Sequence, residues 1–282
     1  GDIGVGQREV GYMAGMMKKL TNNASAAFTG KSIVHGGSFM RPEATGYGTV
    51  YFTQEMLALR KLSIEGMRVS VSGSGNVAQY AIQKAMSLGA IVVTASDSSG
   101  FVHDPEGFTP EKLALLQDIK NIRYGRICEY AREAKVTFHA GKRPWHIPVE
   151  VVLPCAVQNE IDGEDARTLV KNGVVCVVEG ANMPTDLQAV RIFQEAGVAY
   201  APGKASNAGG VATSGLEMSQ NAMHLSWTHE EVDQRLLKIM RAIHETCLQY
   251  GQGSSNQVNY VDGANIAGFV RVADAMLAQG IL

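Results

Sequence analysis

The sequence predicts an α/β protein built on a doubly wound, mostly parallel sheet, flanked by helices from the edge of a second domain. Three observations predict it. Met67 to Ser72 is a short run carrying Val69 and Val71 that reads as a buried strand. A tight turn, Gly73-Ser74-Gly75-Asn76, follows, and from Val77 to Leu88 apolar residues return every three or four positions, broken only by Lys84. Gly89 ends that helix and Ala90 to Ala95 forms a second strand, which closes a β-α-β unit.

Such a unit has a defined chemistry. Gly73 permits the turn, Gly75 lets backbone approach a pyrophosphate, and the helix opening at Asn76 and Val77 offers free N–H groups and a positive dipole end. Ala78 stands at the third glycine position of the fingerprint, a permitted variant. Asp97 ends the second strand 24 residues after Gly73, near the offset of a ribose-binding acid. A glycine triplet alone is an ordinary turn. Strand, turn, helix, strand and terminal acid together make a Rossmann-like dinucleotide site, with cofactor candidates Gly73, Ser74, Gly75, Asn76, Val77 and Asp97. The alternative is a doubly wound domain whose switch point is empty.

Composition narrows the class. The 282 residues are 45% hydrophobic, enough for a sizeable core, and 31 glycines suit an α/β chain with many turns. A net charge of -2 gives no electrostatic reason to expect nucleic acid or a membrane surface. No apolar run reaches the ~18 residues of a membrane span. Cys128, Cys155, Cys176 and Cys247 form no CxxC pair, so reduced thiols, a cytoplasmic location and no metal site are expected.

Taken in order, Gln7 to Leu20 reads as a helix with Val10, Met13, Ala14, Met17 and Leu20 on one face, packed in a core or interface. Thr29 to Gly37 is a loop with a short strand-like run, and His35 within it reads as a loop histidine more readily than as a base. Pro42 fits the first turn of a helix reaching about Leu62, from which Thr45 can meet a ligand. Thr109-Pro110-Glu111 opens a helical stretch to about Glu133, where Lys120, Arg123 and Arg126 read, on spacing alone, as a solvated face. Strands at Val149–Cys155, Val174–Glu179 and Gly197–Ala201 are each followed by a polar loop. These loops share the carboxyl edge, where open α/β sheets bind ligands. From Gly215 the pattern is helical, with a Gly/Ser/Asn-rich break at Gly251 to Asn259.

GDIGVG, GGSFMRPEATGYG, VSGSGNVAQYA, ASDSSG, LPCAVQNE, EGANMPT, APGKASNAGGVATSGLEMSQN and NYVDGANIAGFVRVADAML together resemble the hexameric glutamate dehydrogenases of bacteria and lower eukaryotes. The resemblance covers essentially the whole chain. It implies that residues 1–37 are the edge of a substrate domain, 38–257 the dinucleotide-binding domain, and 258–282 a helix returning to the substrate domain. It also implies that the family's substrate-gripping lysines precede Gly1, so that this chain is expected to be a C-terminal fragment. Carried over by position, Asp2 is the catalytic proton carrier, and Asn207, Val211 and Ser214 line the substrate, with Ser214 donating to the side-chain carboxylate of glutamate. Thr45, Asn76, Val77, Asp97, Ser98, Ala156, Gln158, Asn182 and Asn207 match cofactor contacts.

Coenzyme choice is divided. Asp97 argues for NAD, because a free acid repels a 2′-phosphate. Ser98 and Ser99 favour a phosphate, and NADP-dependent members of the family share the SDSSG run and the cations at Lys120 and Arg123, so NADP is expected, with NAD possible. The implied reaction is the reversible deamination of L-glutamate to 2-oxoglutarate and ammonium by a homohexamer. The alternatives are a dehydrogenase for an apolar amino acid, against which Ser214 speaks, and a non-catalytic nucleotide-binding chain.

Overall fold

The computed structural model describes residues 5–23, 27–252 and 257–280. Its strands are β1 (Arg68–Val71), β2 (Ile91–Asp97), β3 (Gly100–His103), β4 (Thr137–Ala140), β5 (Val151–Leu153), β6 (Cys176–Val178) and β7 (Ala199–Ala201). They form one sheet in the order β4-β3-β2-β1-β5-β6-β7. The five strands from β2 to β7 along that order are parallel, whereas β3 and β4 pair antiparallel on the β2 edge. That antiparallel extension was not expected from the sequence. The order reverses between β1 and β5, so the switch point lies at their carboxyl ends.

The helices are α1 (Gln7–Thr21), α2 (Ala44–Leu59), α3 (Asn76–Ser87), α4 (Pro110–Gln117), α5 (Ile127–Ala134), α6 (Gly163–Lys171), α7 (Leu187–Glu195), α8 (Gly203–Ser206), α9 (Gly209–Met223), α10 (His229–Gly251) and α11 (Tyr260–Gln279). The strand pleat sends alternate residues to two cores. Val69, Val71, Val151 and Leu153 face α2, α3 and α10, while Val93, Val152 and Val177 face α6 and α7. Local chemistry starts several helices. Thr228 Oγ1 accepts the Glu231 N–H at 3.2 Å and Glu231 Oε2 accepts the Thr228 N–H at 2.7 Å, a reciprocal cap for α10.

Three expectations need correction. α1 forms where its periodicity predicts, but none of its residues is buried, and Met13, Met17 and Leu20 are exposed. On that face only Val10 and Ala14 are half-buried, so the stripe is not part of the core, and packing in an interface stands as an expectation. The strand-like run near His35 is a 3₁₀ turn, Ile33–His35, because no neighbouring strand supplies its hydrogen bonds. The single helix expected from Thr109 to Glu133 is α4, a π-helical turn Asp118–Ile122 and α5, separated at Tyr124, whose φ is +54°. Among the described residues no helix is long and apolar enough to cross a membrane.

Candidate active site

The glycine turn sits where the sheet reverses. Gly73 has φ +84°, donates its N–H to Ser96 Oγ at 2.8 Å, and a Cβ there would lie 2.8 Å from the Cys155 carbonyl oxygen. Only glycine combines that dihedral with so close a neighbour. Gly75 is different: its φ is -83°, and a Cβ on it would meet nothing within 4 Å. The protein does not need glycine at that point, but a ligand approaching the backbone would. Gly75 is the N-cap of α3 and supplies no side-chain cap, so the helix N-terminus keeps donors for an anion. A pyrophosphate fits this cradle.

The other cofactor candidates gather on the same edge. Asn76 Nδ2 donates to the Pro42 carbonyl at 2.6 Å, tying α3 to the entry of α2, where Thr45 lies. Ala156 and the exposed Gln158 follow β5. Asn182 follows β6 and accepts, through Oδ1, a 2.7 Å bond from Asn207 Nδ2, which comes from the loop after β7. A buried carboxylate holds that last pair of loops: Glu179 Oε1 accepts the Tyr200 hydroxyl and Oε2 the Gly203 N–H, both at 2.6 Å. Burial pushes the Glu179 carboxyl above its ordinary value.

Asp97 is not free. Its Oδ1 accepts the Ser99 N–H (2.8 Å) and hydroxyl (2.5 Å), and its Oδ2 accepts the Ile127 N–H (2.9 Å) and faces Lys120 Nζ at 3.5 Å. Burial raises its pKa, but the Ser99 hydroxyl, the two backbone donors and Lys120 outweigh burial and hold the carboxyl below its usual range. Lys120 also donates to the Gly125 carbonyl at 2.9 Å. Arg123 is occupied by Asp118 at 2.5 Å and Glu133 at 2.7 Å. The cation beside Ser98 is Arg126, whose Nη1 donates to Ser98 Oγ at 2.8 Å. The equal spacing of the three cations in sequence hides this, because Lys120 lies in the π turn, Arg123 caps it, and Arg126 follows the left-handed break at Tyr124 as the N-cap of α5.

On the substrate side, Ser214 Oγ accepts a 2.9 Å bond from Arg41 Nε, while Val211, one turn earlier on α9, is 72% exposed. Arg41 borders a cleft of about 510 Å³ that is also lined by Val10, Lys31, Phe39, Glu43 and Asn76. Beneath it Glu217 is fully buried and pairs with Lys31 at 2.7 Å. Burial works against the charge of Arg41 and Glu217 supports it. The pairing of Arg41 with Ser214 spans 173 residues and has no sequence signal. Asp2, expected as the proton carrier, lies outside the described residues.

The sequence pattern of the Glutamate/Leucine/Phenylalanine/Valine dehydrogenase family matches residues 36–280. The chain is 65% identical over 282 residues to a Salmonella typhimurium protein named NADP-specific glutamate dehydrogenase, and 63% identical to an Escherichia coli protein of the same name. All of the chain and 63% of each relative are covered, so the chain spans less than two thirds of their length. Among solved structures, Plasmodium falciparum glutamate dehydrogenase superposes with a TM-score of 0.97 at 46% identity, covering 100% of this chain and 61% of that one.

Proposed function

The chain belongs to the Glutamate/Leucine/Phenylalanine/Valine dehydrogenase family, and we propose that this protein is an NADP-dependent glutamate dehydrogenase. The observation that carries the reading is 65% identity, spread over all 282 residues, to a relative named for that activity. The reaction is the reversible oxidative deamination of L-glutamate to 2-oxoglutarate and ammonium. Gly73, Ser74, Gly75, Asn76 and Val77 hold the pyrophosphate, and Thr45, Ala156, Gln158, Asn182 and Asn207 orient the nicotinamide end. The bound nicotinamide supplies the hydride acceptor.

Ser214, with Arg41 behind it, receives the side-chain carboxylate of glutamate, and Val211 packs on its methylenes. A carboxylate needs such a polar, cationic corner, which an apolar amino acid would leave unpaired. Asp2 carries the proton between the amino group and solvent, the role a positioned carboxylate performs in general acid–base catalysis. The Asp97 charge is engaged by the Ser99 and Ile127 donors and by Lys120 and so is not free to repel a 2′-phosphate, and Ser98 with Arg126 and Lys120 receives it. The resemblance supports a cytoplasmic homohexamer in nitrogen assimilation, and the cysteines, free in this structure, suit a reducing compartment.

Calorimetric titration with NADPH and NADH, together with an assay of glutamate-dependent NADP reduction, tests the proposal. NADPH should bind more tightly than NADH. Preference for NADH overturns the coenzyme assignment. In the complete gene product, NADP reduction with leucine but not glutamate overturns the substrate.

A further inference from the structure

The end of β1 and the turn after β5 are the two facing walls of the crevice. The ladder between them stops at its edge, where the Ser72 N–H reaches the Leu153 carbonyl at 3.3 Å. Beyond that point one side chain takes over. Glu160, 4% exposed, accepts the Ser72 hydroxyl at 2.9 Å and the Ala156 N–H at 3.0 Å, both through Oε1. Ser72 Oγ accepts the Cys155 N–H in turn, at 2.9 Å. From the opposite side, the Glu160 carbonyl oxygen accepts Trp145 Nε1 at 2.9 Å and Arg143 Nη1 at 2.8 Å, so the residue is anchored before it reaches across.

A carboxylate is an expensive group to bury. Burial pushes the Glu160 carboxyl up to about 7, against the Ser72, Ala156 and Val157 donors and the Arg143 charge, which lower it. Filling the space would need only an apolar side chain. A carboxylate here answers donors on both walls, which an apolar residue would strand. Its place is specific too: Ser72 directly precedes Gly73, and Ala156 is itself a cofactor candidate.

We propose that Glu160 is a positioning residue for the dinucleotide: by bonding Ser72 on one wall and Ala156 on the other, it fixes the width of the crevice at the switch point. The inference rests on the dinucleotide reading of this site. A crevice held at the bound width spares the coenzyme the cost of ordering it.

The test measures NADPH and NADH affinity by calorimetry at pH 8 for the parent, Glu160→Ala, Glu160→Gln and Ser72→Ala, with circular dichroism to confirm folding. Glu160→Ala should weaken both coenzymes alike, by about tenfold or more, the scale of one stranded hydrogen-bond set. Glu160→Gln keeps an oxygen acceptor and should stay within about threefold, and Ser72→Ala should fall between them. A folded Glu160→Ala with parent affinity overturns the inference, as do Ala and Gln variants that weaken binding equally. Should Glu160→Ala fail to fold, unchanged affinity in Ser72→Ala overturns it. A parent that binds neither coenzyme overturns the dinucleotide reading itself, and this inference with it.

Discussion

The carboxylate of Asp97 accepts the backbone N–H of Ile127 at 2.9 Å, so the acid that ends β2 also secures the first turn of α5. The residue expected to face a ribose is thus partly spent on its own chain. Asp97→Asn should destabilise the fold by about 1–2 kcal/mol at pH 7, since a charged acceptor for three donors becomes a neutral one. The pKa of Asp97 is depressed in the fold. Its contribution is therefore complete above the unfolded carboxylate's value, about 3.9, and is lost as pH falls through the lower folded value. Urea unfolding of both proteins between pH 7 and pH 3 should show the gap narrowing only at the acid end. A gap of constant size would mean that the charge is irrelevant.

Coenzyme preference should follow Arg126 and not Arg123. Arg126→Ala removes the cation beside Ser98 and should weaken NADPH by up to about fivefold while sparing NADH, the scale of an exposed charge contact, and the difference should shrink in high salt. Arg123 is held between Asp118 and Glu133, so Arg123→Ala should change either affinity by less than about twofold. Calorimetry at two ionic strengths decides. The reverse ranking would return the 2′-phosphate to Arg123.

What was legible in the sequence is what is local. The strand, glycine turn and helix from Met67 to Leu88 declare themselves by spacing, as do the polar loops after β5, β6 and β7. β3 and β4 do not: each is four residues long, β4 is an edge strand, and their pairing joins Gly100 to Ala140 across 40 positions. The site is divided the same way. Gly73 and Asp97 are marked by position within one unit. The Glu160 contact to Ser72 spans 88 residues and the Lys31 contact to Glu217 spans 186, so only the packed chain reveals either. Arg126 is visible as a cation, but its direction depends on the left-handed break at Tyr124 and its own place as the N-cap of α5.

The two glycines of the turn should separate stability from binding. Gly73→Ala forces a left-handed alanine against the Cys155 carbonyl, whose own N–H is tied to Ser72, and should cost about 3 kcal/mol. Gly75→Ala meets no protein atom within 4 Å at an ordinary φ and should change stability by less than about 0.5 kcal/mol. It should nevertheless abolish coenzyme binding, because the new methyl occupies the approach to the α3 N-terminus. Chemical denaturation and calorimetry on the same samples test both. Normal coenzyme affinity in Gly75→Ala would show that no pyrophosphate approaches there.

The buried pair under the cleft gives the last expectation. Glu217 is wholly enclosed, accepts the Gly30 N–H at 2.8 Å, and finds its counter-charge in Lys31 at 2.7 Å. Lys31→Met strands that charge and should cost about 3–5 kcal/mol. Replacing both partners, Lys31→Met with Glu217→Gln, removes the charge along with its partner while keeping an acceptor for the Gly30 N–H, and should recover much of the loss. The site should respond as well. Glu217 lies one turn from Ser214 on α9 and attracts Arg41, so without Lys31 the guanidinium is drawn toward Glu217 and away from Ser214. In the complete gene product, Lys31→Met should therefore raise the KM for glutamate more than that for NADP. A double-mutant cycle in urea, with both KM values measured alongside, decides the matter. Stabilities that add to within about 0.5 kcal/mol would mean that the two charges are not coupled, and equal changes in the two KM values would mean that the pair has no part in holding Arg41 at the substrate corner.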